Sequence, residues 1–114
     1  MRLTPKVERV GAWTPPVAMH PARIWPLIYD RTGVTRLEVL GDSRTARVSE
    51  ARRLATHLLL SVGWNLKAVG DLMGKDHTSI IYQRNKVMRT LETNRHYQQL
   101  VKGMIEQLHD EAQQ

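Results

Sequence analysis

The side chains best placed to do chemistry in this sequence lie in one stretch, Gly74-Lys75-Asp76-His77-Thr78-Ser79, followed at once by Ile80-Ile81. Asp76 is a strong N-cap type, its carboxylate able to accept from the orphan backbone N–H groups of a first helical turn. His77, Thr78 and Ser79 would then form that turn, three hydrogen-bonding side chains that scarcely help a core. Thr78 offers a hydroxyl to either kind of base edge and a methyl to the thymine methyl, and His77 can donate or accept at the same edges. Lys75 and the N–H groups of the helix start suit a phosphate. This is the chemistry of reading a nucleic acid, not of making bonds. An ordinary cap with solvated neighbours contains the same residues, so the stretch alone leaves both readings open.

Something must hold that tip. Behind it Ile80, Ile81, Val87, Met88 and Leu91 recur at spacings of 1, 6, 1 and 3, an apolar helical stripe. A helix with a buried rear and a polar start is the layout of a recognition helix, whose N-terminal residues enter the major groove. Before it, Asn65 caps a short helix carrying Leu66, Val69, Leu72 and Met73, which Gly74 ends. Short helix, glycine turn and longer helix make a helix-turn-helix.

The rest of the chain reads as scaffold for this unit. Pro21 opens a helix with Ile24, Trp25, Leu27 and Ile28, and Pro26 requires either a later start or an irregular first turn. Gly33 closes it, and Thr35 caps a brief helix ending near Leu40-Gly41, with Leu37 and Leu40 facing inward. Gly41 to Val48 reads as a polar loop bearing Arg44 and Arg47. Ser49 is the expected N-cap of a helix reaching about Val62, with Ala51, Leu54, Ala55, Leu58 and Leu59 in a wide buried stripe. Asn94 caps a last helix on which Tyr97, Leu100, Val101, Met104, Ile105 and Leu108 line one face. That face reads as a core buttress; the sharper reading is a homodimer seam or a docking face for another protein. No segment alternates like a strand and phenylalanine is absent, so the expected fold is all-α, a bundle of about six helices containing a helix-turn-helix. Residues 1–20, with Pro5, Pro15 and Pro16, read as a tail on which only Trp13 suggests docking, and 21–110 as the domain.

The totals narrow the classes. At 114 residues the chain holds one domain, and its net charge of +6 with a pI near 10.2 favours a polyanionic partner. The charge is uneven: nine basic against four acidic side chains between Asp42 and Arg89, two against four from residue 90 onward. Cysteine is absent, which excludes disulfides and thiolate sites and suits a reducing cytoplasm. No apolar run approaches a membrane span, and Met-Arg-Leu-Thr-Pro-Lys has no signal core. Gly70-x-x-x-Gly74-Lys75-Asp76 is one residue short of a P-loop and ends in Asp where Ser or Thr is needed, so no nucleotide or other cofactor is expected. The five histidines show no metal-ligand spacing. Tyr82 has no His-x-His pair or acidic cluster to make it a nicking nucleophile, and no enzyme is expected.

Gly-Lys-Asp-His-Thr-Ser-Ile-Ile at 74–81 resembles the DNA-binding signature in the C-terminal domain of the bacterial replication initiator DnaA. The resemblance runs back through Arg52-Arg53-Leu54-Ala55 and Gly33-Val34-Thr35 to about residue 22, and forward to about Leu108. It implies sequence-specific binding of duplex DNA at initiator-type boxes, with His77, Thr78 and Ser79 in the major groove and Lys75 and Asp76 beside them. It also implies an arginine of the loop Asp42-Ser43-Arg44-Thr45-Ala46-Arg47 in the minor groove, Arg44 being the closer match and Arg47 the second. Arg52 and Arg53 stand where the family typically has Arg-Gln on backbone and base edges; Lys67 is a further phosphate candidate. The chain departs from the pattern in having one glycine before Lys75, Arg53 for an amide, and Gln83 where a small residue is usual. A long amide at that position would alter base preference if it faces DNA. With no room for an ATPase domain, and a Pro-containing head after Met1, the expectation is a small stand-alone regulator of replication or transcription, whose last helix could dock a replication protein; a fragment of a longer initiator is the other reading of its length. The competing reading is a helical protein-interaction module whose DNA face has degenerated.

Overall fold

Side chains that fold back onto their own backbone set most of the helix starts in the computed structural model, which describes residues 21–112. Thr35 and Glu38 form a reciprocal capping box at the head of α2 (Arg36–Leu40): the Thr35 hydroxyl accepts from the Glu38 N–H at 3.2 Å, and the Glu38 carboxylate accepts from the Thr35 N–H at 3.0 Å. Asn65 caps α4 (Leu66–Met73) at 2.8 Å, Asp76 caps α5 (His77–Thr93) at 2.9 Å, and the Asn94 side chain accepts from the Tyr97 N–H at 2.9 Å at the start of α6 (Arg95–Ala112). α1 (Ile24–Thr32) has no such cap. It grows from a 3₁₀ turn, Pro21–Arg23, and takes Pro26 in its first turn, where the missing N–H costs nothing.

α3 (Ala46–Ser61) starts earlier than the sequence suggests. The cap is Thr45, not Ser49, its hydroxyl accepting from the Val48 N–H at 3.4 Å. Arg47 therefore lies in the first helical turn and not in a loop. The end of α3 closes as a Schellman motif, with Trp64 N–H donating to the Leu59 carbonyl and Gly63 N–H to that of Leu60. Gly63, at φ 108°, supplies the left-handed step this requires.

α3 is the central post, packed on α1, α2, α4, α5 and α6. Its Ala51, Leu54, Ala55, Leu58 and Leu59 are buried, together with Ile24, Leu27 and Ile28 of α1, Val69 and Met73 of α4, Ile80 of α5, and Val101, Met104 and Leu108 of α6. Each large aliphatic side chain so enclosed contributes about 1.5–3 kcal/mol. The apolar stripe of α6 is thus used inside the bundle, with Tyr97, Leu100 and Ile105 packed on the edge of the core.

Two inward assignments are corrected. Leu37 is 77% exposed; α2 instead buries Val39, with Leu40 packed on the edge of the core as expected, because so short a helix presents only one side to the bundle. Met88 is 47% exposed; Val87 alone of that pair reaches the interior. The expected tail, with Trp13, lies outside the described residues. No described helix is long and apolar enough to cross a membrane, and no strand occurs among the described residues.

Candidate nucleic-acid interface

The tip of α5 is set by the turn before it. Gly74, at φ 69°, reverses the chain after α4, and Lys75 N–H donates to the Gly70 carbonyl at 2.9 Å. The turn returns so tightly that a Cβ on Gly70 would sit 2.7 Å from the Lys75 carbonyl oxygen. Gly70 is therefore what lets the two helices of the motif meet at this angle. Sequence reasoning passed over it, although a buried glycine on the apolar face of a short helix was a visible signal.

At the tip, Asp76 accepts from the Ser79 N–H, and this bond holds its carboxyl below the ordinary carboxylate value, with the His77 charge adding to the effect. An ionised cap also complements the partial positive charge of the helix start. His77 and Thr78 stand exposed and Ser79 is half-buried. His77 and Thr78 make no side-chain hydrogen bond among the described residues, so their donors and acceptors face solvent, whereas the Ser79 hydroxyl also bonds the Asp76 carboxylate.

A cleft of about 680 Å³ opens between the start of α3 and the start of α5. Arg44, Arg52, Arg53, Lys75, Thr78 and Ser79 line it, as sequence reasoning grouped them, along with Asp42 and with Ser49, Tyr82 and Gln83, which it did not place there. Arg44 is exposed and makes no hydrogen bond or ion pair among the described residues. Arg53 is held by Glu50 at 2.9 Å, one helical turn back. That carboxylate also faces the Tyr97 hydroxyl of α6, whose ionisation is pushed well above the usual phenol range by burial first and by Glu50 second. Tyr82 is 58% exposed and carries the Lys86 ammonium 5.7 Å from its ring centroid.

Three expected anion contacts are placed differently. Arg52 lines the cleft but is only 8% exposed, because its guanidinium is used inside the fold. Nε donates to the Val39 carbonyl at 2.8 Å, and the two terminal nitrogens donate to the carbonyls of Ser43 (3.1 Å), Gly41 (3.0 Å) and Glu38 (3.4 Å). It is a clamp that shapes the Arg44 loop from behind, and the expectation of an outward phosphate contact is corrected accordingly. Arg47 points away from the cleft, donating to the Gly33 carbonyl at 3.1 Å and pairing with Glu38 at 3.4 Å. Lys67 pairs with Asp71 at 3.2 Å and borders a second hollow with Leu66, Lys75, Asp76 and His77. Lys75 is the ridge common to both hollows. No group of His, Cys, Asp and Glu suited to a metal occurs among the described residues.

Comparison with known proteins points one way. The family model described as the bacterial dnaA protein helix-turn-helix matches residues 21–87. The chromosomal replication initiator protein DnaA of Picosynechococcus sp. (strain ATCC 27264 / PCC 7002 / PR-6) is 31% identical over 113 residues, 97% of this chain and 24% of that protein. The initiators of the same name from Synechococcus sp. (strain JA-2-3B'a(2-13)) and Microcystis aeruginosa (strain NIES-843 / IAM M-2473) are 29% and 26% identical, over 75% and 81% of the chain and 19% and 21% of their own lengths. The chain thus spans about a quarter or less of the curated relatives it matches.

Proposed function

Because the chain belongs to the bacterial DnaA helix-turn-helix family, we propose that it binds duplex DNA sequence-specifically at initiator-type boxes and so takes part in, or regulates, replication initiation or transcription. His77, Thr78 and Ser79 read base edges in the major groove, while Arg44 enters the adjacent minor groove, where negative potential is concentrated over A·T steps. Arg53, Lys75 and the N–H groups of α5 meet phosphates. The observation that carries this reading is the cleft itself: Arg44, Arg53 and Lys75 converge with the polar tip of α5 on one face. No catalytic step is assigned to it, and the site of action is the nucleoid.

A second reading, a helical module that binds another protein, draws on one observation. A mostly apolar groove of about 460 Å³ lies between α3, α5 and α6, lined by His57, Leu91, Gln98, Val101, Lys102, Ile105 and Glu106. Salt separates the two. A DNA complex with roughly five phosphate contacts weakens with a log–log slope of about −4 to −5, whereas an apolar partner hardly responds.

The test is fluorescence anisotropy with an initiator-type duplex and a scrambled duplex at about 150 mM salt. A preference of about 10³ or more, lost in His77→Ala/Thr78→Ala, is the expected result. Weak and equal binding to both duplexes, unaffected by the double substitution, would reject recognition through this helix.

A further inference from the structure

Thr56 is fully buried on α3, and its hydroxyl donates to the Oε1 of Gln83 at 3.0 Å. The two residues are 27 apart in sequence and meet at the back of the cationic cleft, which Gln83 lines together with Arg53, Ser79 and Tyr82. Gln83 stands one helical turn beyond Ser79, on the same side of α5. A glutamine side chain has an acceptor end and a donor end, and here the buried hydroxyl takes one of the two lone pairs of Oε1 and turns that end toward the interior. That hydroxyl has strong reason to keep its partner, since an unpaired polar group in the interior is costly.

We propose that Thr56 turns Gln83 into a donor-only head, its Nε2 hydrogens directed into the cleft toward an acceptor atom of bound DNA. This inference rests on the DNA reading given above and deepens it. A free glutamine amide pairs with adenine through both ends, accepting from N6 and donating to N7. With Oε1 turned inward to Thr56, its second lone pair is not presented to the groove beside Nε2, and that bidentate pair is closed to Gln83. What remains are acceptors alone: guanine O6 and N7, thymine O4, or a phosphate oxygen, with adenine N7 reachable by one bond only and beside an N6 donor left unanswered. Gln83 thereby becomes a specificity-determining residue whose choice is set by a side chain that never touches DNA.

Selection from random duplex DNA, followed by affinity measurement on the best wild-type duplex, tests this with wild type, Gln83→Met, Thr56→Val and the hydroxyl-retaining Thr56→Ser, all first checked for equal helicity and cooperative melting. If the acceptor is a base edge, wild type prefers guanine or thymine at one position. Gln83→Met loses that preference, Thr56→Val admits adenine there, and Thr56→Ser behaves as wild type. If the acceptor is a phosphate, the selected motif is unchanged, while Gln83→Met weakens every duplex about tenfold and Thr56→Val weakens them uniformly by less. The proposal is overturned if Gln83→Met matches wild type in motif and affinity, if Gln83 instead confers a preference for cytosine (which needs an acceptor in the groove), or if Thr56→Val is indistinguishable from wild type. A wild type that enriches no motif rejects sequence-specific recognition itself, and this refinement falls with it.

Discussion

Replacing Arg52 with Met separates the clamp seen in the structure from the phosphate contact that the sequence suggests. Methionine keeps most of the apolar stem and removes the five N–H donors. The buried Nε bond to Val39, at 2.8 Å, is charge-assisted and should contribute about 1.5–3 kcal/mol. The three bonds from the terminal nitrogens, at 3.0–3.4 Å, lie where water can reach, and together add about 1 kcal/mol. Against these stands the cost of holding a guanidinium out of water with no carboxylate beside it, which the substitution relieves. The expected net loss is about 2–4 kcal/mol. In a urea titration of a domain this size, that lowers the unfolding midpoint by on the order of 2 M. Arg53→Met, which breaks only a partly exposed pair with Glu50, should stay within about 1 kcal/mol of wild type. The reasoning fails if Arg52→Met unfolds within about 0.5 kcal/mol of wild type while DNA affinity drops and its salt slope falls by about one, the signature of a lost phosphate contact.

Two further outcomes test the frame around the site. Gly70→Ala should destabilise by about 0.5–2 kcal/mol, since the overpacking cost of a Cβ placed 2.7 Å from a carbonyl oxygen exceeds the helix-propensity gain of about 0.5–1 kcal/mol. Gly103→Ala, where the added carbon meets nothing within 4 Å, should show that gain alone; parallel urea titrations that place both variants on the same side of wild type would refute the packing argument. Half-buried His57 is held below its ordinary value of 6.5 by desolvation, so as pH falls below 6.5 the unfolded chain takes up a proton before the folded one does, and stability declines. Between about pH 7.5 and 5.5 the wild type should therefore lose more stability than His57→Gln, and equal losses in urea unfolding at the two pH values would exclude the effect.

Much of this was legible because the signals are local. Thr35, Asn65, Asp76 and Asn94 each bond to a backbone N–H three residues ahead, so residue type and position suffice to read them as caps. Gly33 and Gly74 end helices where they were expected to. Thr45 was overlooked in favour of Ser49 because Ala46 and Arg47 carry no apolar period, and a helix start without one looks like loop. Non-local features could not be read at all. Arg52 appears in sequence as one more basic residue of a basic block; only the return of residues 38–43 over α3 supplies the carbonyls that absorb it. The Thr56–Gln83 pair spans α3 and α5, and Gly70 owes its role to a carbonyl in the following turn. The identity of the tip was therefore available early, while the side chains that aim it required the fold.

The Arg52 clamp has a consequence for how the loop can change over generations. Its acceptors are main-chain oxygens, present whatever side chains occupy positions 38, 39, 41 and 43. A mutation in this segment can thus alter the charge around Arg44 without removing an acceptor, as long as the backbone path is kept. Geometry and electrostatics are inherited separately here: one arginine on α3 maintains the first, and the loop sequence is left to drift in the second. Asp42, an acidic residue lining an otherwise cationic cleft, occupies such a permissive position. A lineage could tune how strongly this arm grips its partner by small steps at the exposed positions 42 and 43, which neither fill the core as Val39 does nor cap a helix as Glu38 does.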